Sequence, residues 1–399
     1  MSEASVILVG RIDESILQLD TVPVALGKIG ESLKIRVEGA VERKIEVYRK
    51  ELEHFHKEVL GAEKGDTLRD VWCAFEAFRR NELANLFKES LALVGGARLR
   101  QCGTTHQGAV DNGLCALADA LINTVPGPEK SNWNCFTVLA SGEFIDRMDH
   151  VIRVRFPETS IWNLPVVAHE FGHYAGAKLS NTSRTADEYP ILEFLKKESG
   201  GDDAAFRVMH EYMADVFATY WLGPCYPCTC ILLRFDPTAA YEEQPPHPSP
   251  AKRIYGMLKV LKQIDKPDRF GIRYLTRIIE MLEQYWRLSL SAVGEEEDIE
   301  TALPDDETQR AAERVEGLYN KFYEESPEIH YKSQRWKEVL KIRGELLENR
   351  DFEPNVCLSI SDMLNAAWLV RMENMHDKYQ VQRIGERAKL LIEALMRNN

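Results

Sequence analysis

The chain is 399 residues long with 44% hydrophobic content, enough for one large domain or two ordinary ones built around a substantial core. Its 50 basic residues against 63 acidic ones give a formal charge of -13, which works against binding to a phosphate backbone or an anionic membrane surface and removes nucleic acid from the expected partners. The first ten residues lack the basic segment of a secretory signal, and the most apolar window, residues 216–233, is interrupted by Gly223, Pro224 and Pro227. Eight cysteines in a chain of this length do not form the pattern of a disulfide framework. The expectation is a soluble, cytoplasmic protein with reduced thiols and no membrane span.

Residues 1–130 read as a helical region. Apolar side chains recur at three- and four-residue spacing over 41–60 and 67–94, with Trp72, Phe75, Phe78, Leu83 and Phe87 forming a stripe that predicts helix packing, and a further helix is predicted over 109–122. Pro126-Gly127-Pro128 then breaks the pattern. Segments 134–140 and 151–156 have strand composition, and in the second Ile152, Val154 and Phe156 alternate with Arg153 and Arg155. A short sheet here offers an edge with which an extended peptide can pair, so Arg153, Val154 and Arg155 are candidate substrate-binding residues.

The most informative stretch follows. His169-Glu170-Phe171-Gly172-His173 lies in a segment, 164–180, whose apolar spacing predicts a helix, with Asn163 as a cap and Pro165 tolerated near the start. Two histidines four positions apart on a helix differ by about 40° around its axis, so both rings leave one face and can share one ion. Glu170 lies about 100° round from His169, beside the ligands without being one, where a general base for a metal-activated water belongs. A second helix, predicted over 204–222, carries Glu211 and Asp215 one turn apart. Glu211 is the candidate third ligand, and Asp215 the candidate acceptor for the second ring nitrogen of His169. His210-Glu211 does not begin another such motif, because Ala214 stands where its last histidine would be.

His169-Glu170-x-x-His173 followed 38 residues later by Glu211-x-x-Ala214-Asp215 resembles the gluzincin arrangement, and in particular the family of HtpX and the CAAX prenyl peptidases. His247-Pro248-Ser249-x-x-x-Arg253-Ile254 is similar to a His-Pro segment downstream of the ligands in that family. The resemblance covers about residues 150–260. It implies one Zn²⁺ per chain held by His169, His173 and Glu211, with Glu170 as general base. His247 would donate a hydrogen bond to the developing oxyanion, and Arg253 would hold its loop. The best-known members have membrane spans and this chain shows none. The run Glu211 to Ala218 also resembles the soluble ImmA/IrrE-type peptidases, which leaves a regulatory enzyme with one dedicated protein substrate as an alternative, beside a partner-docking scaffold without activity.

Helices are predicted over 251–264, 268–293, 308–325, 333–348 and 360–396, with eight acidic residues in the intervening stretch 294–307 read as a solvated loop. Cys225, Cys228 and Cys230 are read as buried thiols, with a second metal site as the alternative. The fold expected is mainly α in the α+β class: a zincin-like metallopeptidase core with a small β-sheet over 131–265, flanked by helical regions over 1–130 and 266–399. The expected activity is zinc-dependent cleavage of a protein or peptide substrate. The substrate and the oligomeric state are open.

Overall fold

The structure is a computed structural model, and it describes residues 2–26, 31–62, 66–87, 113–126, 133, 136–140, 144–146, 151–155, 160–179, 189–295, 305–348 and 358–398. In chain order the helices are α1 Glu3–Leu26, α2 Glu31–Gly61, α3 Asp66–Phe78, α4 Leu114–Ile122, α5 Val166–Ala175, α6 Pro190–Glu198, α7 Asp203–Leu222, α8 Cys225–Thr229 and α9 Pro250–Ile264. They continue with α10 Thr276–Val293, α11 Asp305–Glu325, α12 Trp336–Glu348, α13 Ile360–Glu373 and α14 Lys378–Asn398. Strands β1 Phe136–Ala140, β2 Phe144–Asp146 and β3 Val151–Arg155 form one small sheet in the order β1-β3-β2.

This corrects the expected fold class. The protein is an all-α fold rather than an α+β zincin core with helical flanks, because helices build every layer of the buried interior. The strands have only five, three and five residues, and Ile152 is the one strand side chain, among those described, in the buried apolar cluster. That cluster is continuous through α1, α3, α7, α10 and α13, so the chain's two ends pack onto the same interior as the motif helix. Two buried ion pairs tie the N-terminal helix into it. Arg11 meets Glu76 at 2.7 Å and donates to the Phe235 carbonyl, and Arg371 of α13 meets Glu14 at 3.1 Å.

A second correction concerns the sheet edge. β3 is the central strand, parallel to β1 and antiparallel to β2, so the main chain of Arg153 faces Val138 on one side and Phe144 on the other. Val154 and Arg155 pair with β1. The side chains of Arg153 and Val154 lie outside the described residues.

Several helix limits differ from those expected. α5 starts at Val166 after a 3₁₀ turn over Ile161–Asn163, and Asn163 bonds to Ser160 rather than capping the helix. The segment 268–275 is a loop, and 374–377 separates α13 from α14. The predicted helix over 88–94 and residues 109–112 lie outside the described residues. Among the described residues no single helix is long and apolar enough to cross a membrane. α7 with Cys225–Arg234 passes that test of length and composition only as a bent pair turning through 119°.

Candidate metal centre

The site is made where α5 crosses α7. Gly172, between the two histidines, permits this closeness: a Cβ there would stand 3.0 Å from Phe217 Cδ1 and 3.2 Å from Ala214 Cα. On α5, His169 and His173 share one face, as their spacing requires, and Glu211 of α7 is delivered opposite them. The Nε2 atoms of the two histidines are 3.1 Å apart; His169 Nε2 lies 3.4 Å from Glu211 Oε2, and His173 Nε2 lies 3.4 Å from Oε1 of the same carboxylate. A tetrahedral ion with bonds of 2.0–2.1 Å has ligand atoms about 3.3–3.4 Å apart, so each of these distances is of the size that one bound ion spans.

This buried group, His169, His173 and Glu211, can hold a metal ion, and it is the one such cluster among the described residues. Two further observations fit an ion there. Glu211 Oε2 is buried and faces two ring nitrogens, His169 Nε2 at 3.4 Å and His247 Nδ1 at 2.9 Å, neither of them an aligned hydrogen bond. The outer ring nitrogens of both histidines are also engaged, which turns the inner ones toward Glu211.

The partners of those outer nitrogens can be traced. His169 Nδ1 lies 3.0 Å from Asp215 Oδ1 and 3.0 Å from the Tyr226 hydroxyl. Tyr226 itself donates to Asp215 Oδ1 at 2.5 Å, and Arg253 grips the carboxylate in fork fashion, Nε to Oδ2 at 2.7 Å and Nη2 to Oδ1 at 2.8 Å. Surrounded by donors, Asp215 accepts the Nδ1 proton of His169, so the nitrogen that loses its proton to a metal is Nε2, which faces inward. His173 Nδ1 stands 2.8 Å from His210 Nδ1, and the two rings stack.

Electrostatics follow from this geometry. Burial would raise the Asp215 carboxyl, but the adjoining Arg253 charge and the bonds from Arg253 and His169 hold it well below the usual carboxylate range. Glu211 is likewise held down, against its burial, by His169 and His247. For His169, burial is outweighed by hydrogen bonds to Asp215 and Glu211, which raise it to about 10. His173 is pushed well below its ordinary value by burial and by the charge on His169. Burial and the Asp215 charge keep the Tyr226 hydroxyl protonated, and therefore a donor.

Tyr226 and His210 are functional neighbours absent from the expected set. Tyr226 arrives through a sharp reversal after α7: Gly223 has φ +69°, and a Cβ there would sit 2.8 Å from the Tyr331 ring, so only glycine fits. Asn365 of α13 fixes this turn, accepting from the Cys225 amide and donating to the Leu222 carbonyl, both at 2.8 Å.

A cleft of about 400 Å³ opens in front of His169, lined also by Glu170, Tyr226, His247, Arg155 and Arg253. Glu170 is buried at its inner end, and His247 is half-exposed at its mouth, with Nδ1 2.9 Å from Glu211 Oε2. The structure thus brings together His169, Glu170, His173, Glu211, Asp215, His247, Arg253 and the Arg155 side chain. Arg253 reaches Asp215 directly, from the first turn of α9 just after the His247 loop. Cys225, Cys228 and Cys230 are buried free thiols whose pKa values burial raises, and they form no metal cluster among the described residues.

Compared with protein-family models, with curated proteins and with solved structures, the chain matches none.

Proposed function

We propose that this chain is a zinc metalloendopeptidase of gluzincin type, resembling the HtpX and CAAX prenyl peptidase family in its site and acting on a protein or peptide. One observation carries the reading: two imidazole nitrogens and a carboxylate converge at 3.1 and 3.4 Å, with their outer atoms fixed by Asp215, Tyr226 and His210. A bound zinc ion would supply Lewis acidity toward a carbonyl oxygen and lower the pKa of water to about 7.

The chain's own groups divide the remaining work. Glu170, inside the cleft and outside the ligand triangle, takes the proton from the attacking water and returns it to the departing amine. Asp215 holds His169 in the tautomer a ligand needs, and Arg253 holds Asp215 ionised. His247 reaches the cleft mouth from a loop that faces Glu211, where a donor to a developing oxyanion is useful. Arg155 lines the wall along which a substrate would lie.

Purified protein should contain about one zinc per chain by elemental analysis. Glu170→Gln should retain the metal and lose cleavage, whereas His169→Ala and Glu211→Ala should lose the metal. The readout for an unidentified substrate is the set of new protein N-termini in cells carrying the wild type or Glu170→Gln. Identical sets, with metal present in both, would rule out a peptidase and leave the partner-docking scaffold.

A further inference from the structure

The far end of α9 carries an exposed surface that is both apolar and basic. Residues 265–275 form a loop locked from within by two inward-facing carboxylates. Asp265, almost fully buried, accepts from the Tyr274 and Leu275 amides at 2.7 and 2.8 Å and from the Thr276 hydroxyl at 3.0 Å. Asp268 accepts from the Phe270 and Ile272 amides at 2.8 and 3.0 Å and from the Tyr274 hydroxyl at 2.7 Å. Main-chain bonds from Gly271 to Asp268 and from Asp268 to Ile272 close the turn, with Gly271 at φ +76°. These bonds leave the loop little freedom to fold its tip inward.

That tip is apolar and exposed: Phe270 is 70% accessible and Ile272 45%. The same loop and the first turn of α10 carry Lys266, Arg269, Arg273 and Arg277, all exposed and none in an ion pair among the described residues. Arg269 leans over the Phe270 ring at 4.7 Å, and Lys337 over Tyr274 at 5.0 Å. Both acids of the loop spend their oxygens on its own donors. Over residues 265–277 four cations stand against these two carboxylates, a net charge of +2 on a chain whose formal charge is -13.

We propose that this loop docks the protein on an anionic membrane surface. Two large exposed apolar side chains stand two residues apart on a turn closed by its own hydrogen bonds, which suits entry into the headgroup boundary of a bilayer. The flanking cations lie at the level where anionic headgroups attract them. Charge complementarity selects the anionic surface over a neutral one, and cations flanking two apolar side chains on one short loop match the layering of a bilayer boundary, charged headgroups above acyl chains. The loop is separated from the metal centre by the length of α9, whose fifteen residues span about 22 Å. Docking and metal binding are thus independent properties.

The test is sedimentation of the full chain with vesicles of phosphatidylcholine, alone or mixed with phosphatidylserine. The wild type should bind the mixed vesicles, less so at raised salt, and leave the neutral ones in the supernatant. Each exposed cation removed should weaken binding about fivefold, so Arg269→Ala with Arg273→Ala should cost roughly 25-fold. Phe270→Ser with Ile272→Ser should abolish binding, and Phe270→Leu should keep it. All these side chains lie outside the Asp265 and Asp268 bonds, and an unchanged melting temperature for either variant pair makes its result decisive. Failure of the wild type to bind mixed vesicles overturns the proposal, as does unchanged binding by a correctly folded variant pair. Loop-dependent cross-linking to an acidic protein without vesicle binding would also overturn it and assign the surface to protein docking.

Discussion

Gly172→Ala tests whether the metal centre depends on how closely α5 and α7 approach. The new Cβ would stand 3.0 Å from Phe217 Cδ1, 3.2 Å from Ala214 Cα and 3.4 Å from the Ala214 carbonyl oxygen. Relaxed carbon contacts are about 3.5–4.0 Å, so something must give by roughly half an ångström. Phe217 cannot swing aside, because Phe171, Trp221 and Phe322 surround it at ring distances of 5.9, 5.6 and 5.7 Å. The Ala214 contacts are main chain, so the helices themselves must part.

Overpacking costs about 1–3 kcal/mol, while alanine in place of glycine in a helix returns about 1 kcal/mol, for a net loss of about 0–2 kcal/mol. The centre suffers more than the fold. Gly172 adjoins His173, and Ala214 lies between Glu211 and Asp215, so the same displacement stretches the 3.4 Å His–Glu distances toward about 4 Å, beyond what one zinc ion spans. Competition with a chromophoric chelator should show zinc affinity reduced at least about tenfold, with the apo-protein melting only about 1–3 °C earlier. Wild-type zinc affinity in this variant would refute the argument that helix proximity sets the ligand spacing.

Asp215→Asn removes the charge that orients His169 and leaves the buried Arg253 guanidinium unpaired. Chelator competition should show zinc affinity down about 10- to 100-fold, and chemical unfolding a loss of about 3–5 kcal/mol that Asp215→Asn with Arg253→Met partly recovers. Zinc binding at pH 7.5 should release about one proton, because His169 with its pKa near 10 must give up a proton and His173, pushed well below its ordinary value, has none to give. Calorimetric binding enthalpies should then differ between Tris and phosphate by the difference in buffer ionisation heats; equal enthalpies would contradict this. His330, packed against Tyr220 and Tyr319, is lowered to about 4 from 6.5 by burial and then by Lys332 and Lys266. The unfolded chain takes up this proton first, so stability is full above pH 6.5 and falls as pH drops toward 4. After allowance for partial exposure the fall is about 2 kcal/mol. The urea midpoint of His330→Asn should depend less on pH over that window, and an equal slope would count against the assignment.

Periodicity located most of the helices because each buries one apolar stripe, as Trp72 and Phe75 do in α3. It failed where the signal belongs to single hydrogen bonds. Residues 268–275 continue a helix-like spacing, yet Asp265 and Asp268 take up the amides that a helix would need. Asn163 looked like a cap, but the 3₁₀ turn before α5 places its amide on Ser160 instead. The strands were visible in composition, whereas the architecture was not: alternation over 151–155 gives a strand without saying that it is central in a three-stranded sheet beside an all-helical interior.

At the metal centre the legible part is what one helix or one turn dictates. His169 and His173 share a face, and Glu211 and Asp215 share another, by helical period alone. Tyr226 was not legible, because its place depends on the reversal at Gly223, which in turn depends on the Tyr331 ring and on Asn365 more than 100 residues away. His210 does not begin a second motif, yet its position one residue before Glu211 puts it beside His173. Both supply what a ligand histidine needs on its outer nitrogen. Each histidine of the pair needs a partner for its outer nitrogen, and His210 on α7 and Tyr226 just beyond it meet that need, whereas a further copy of the motif would not.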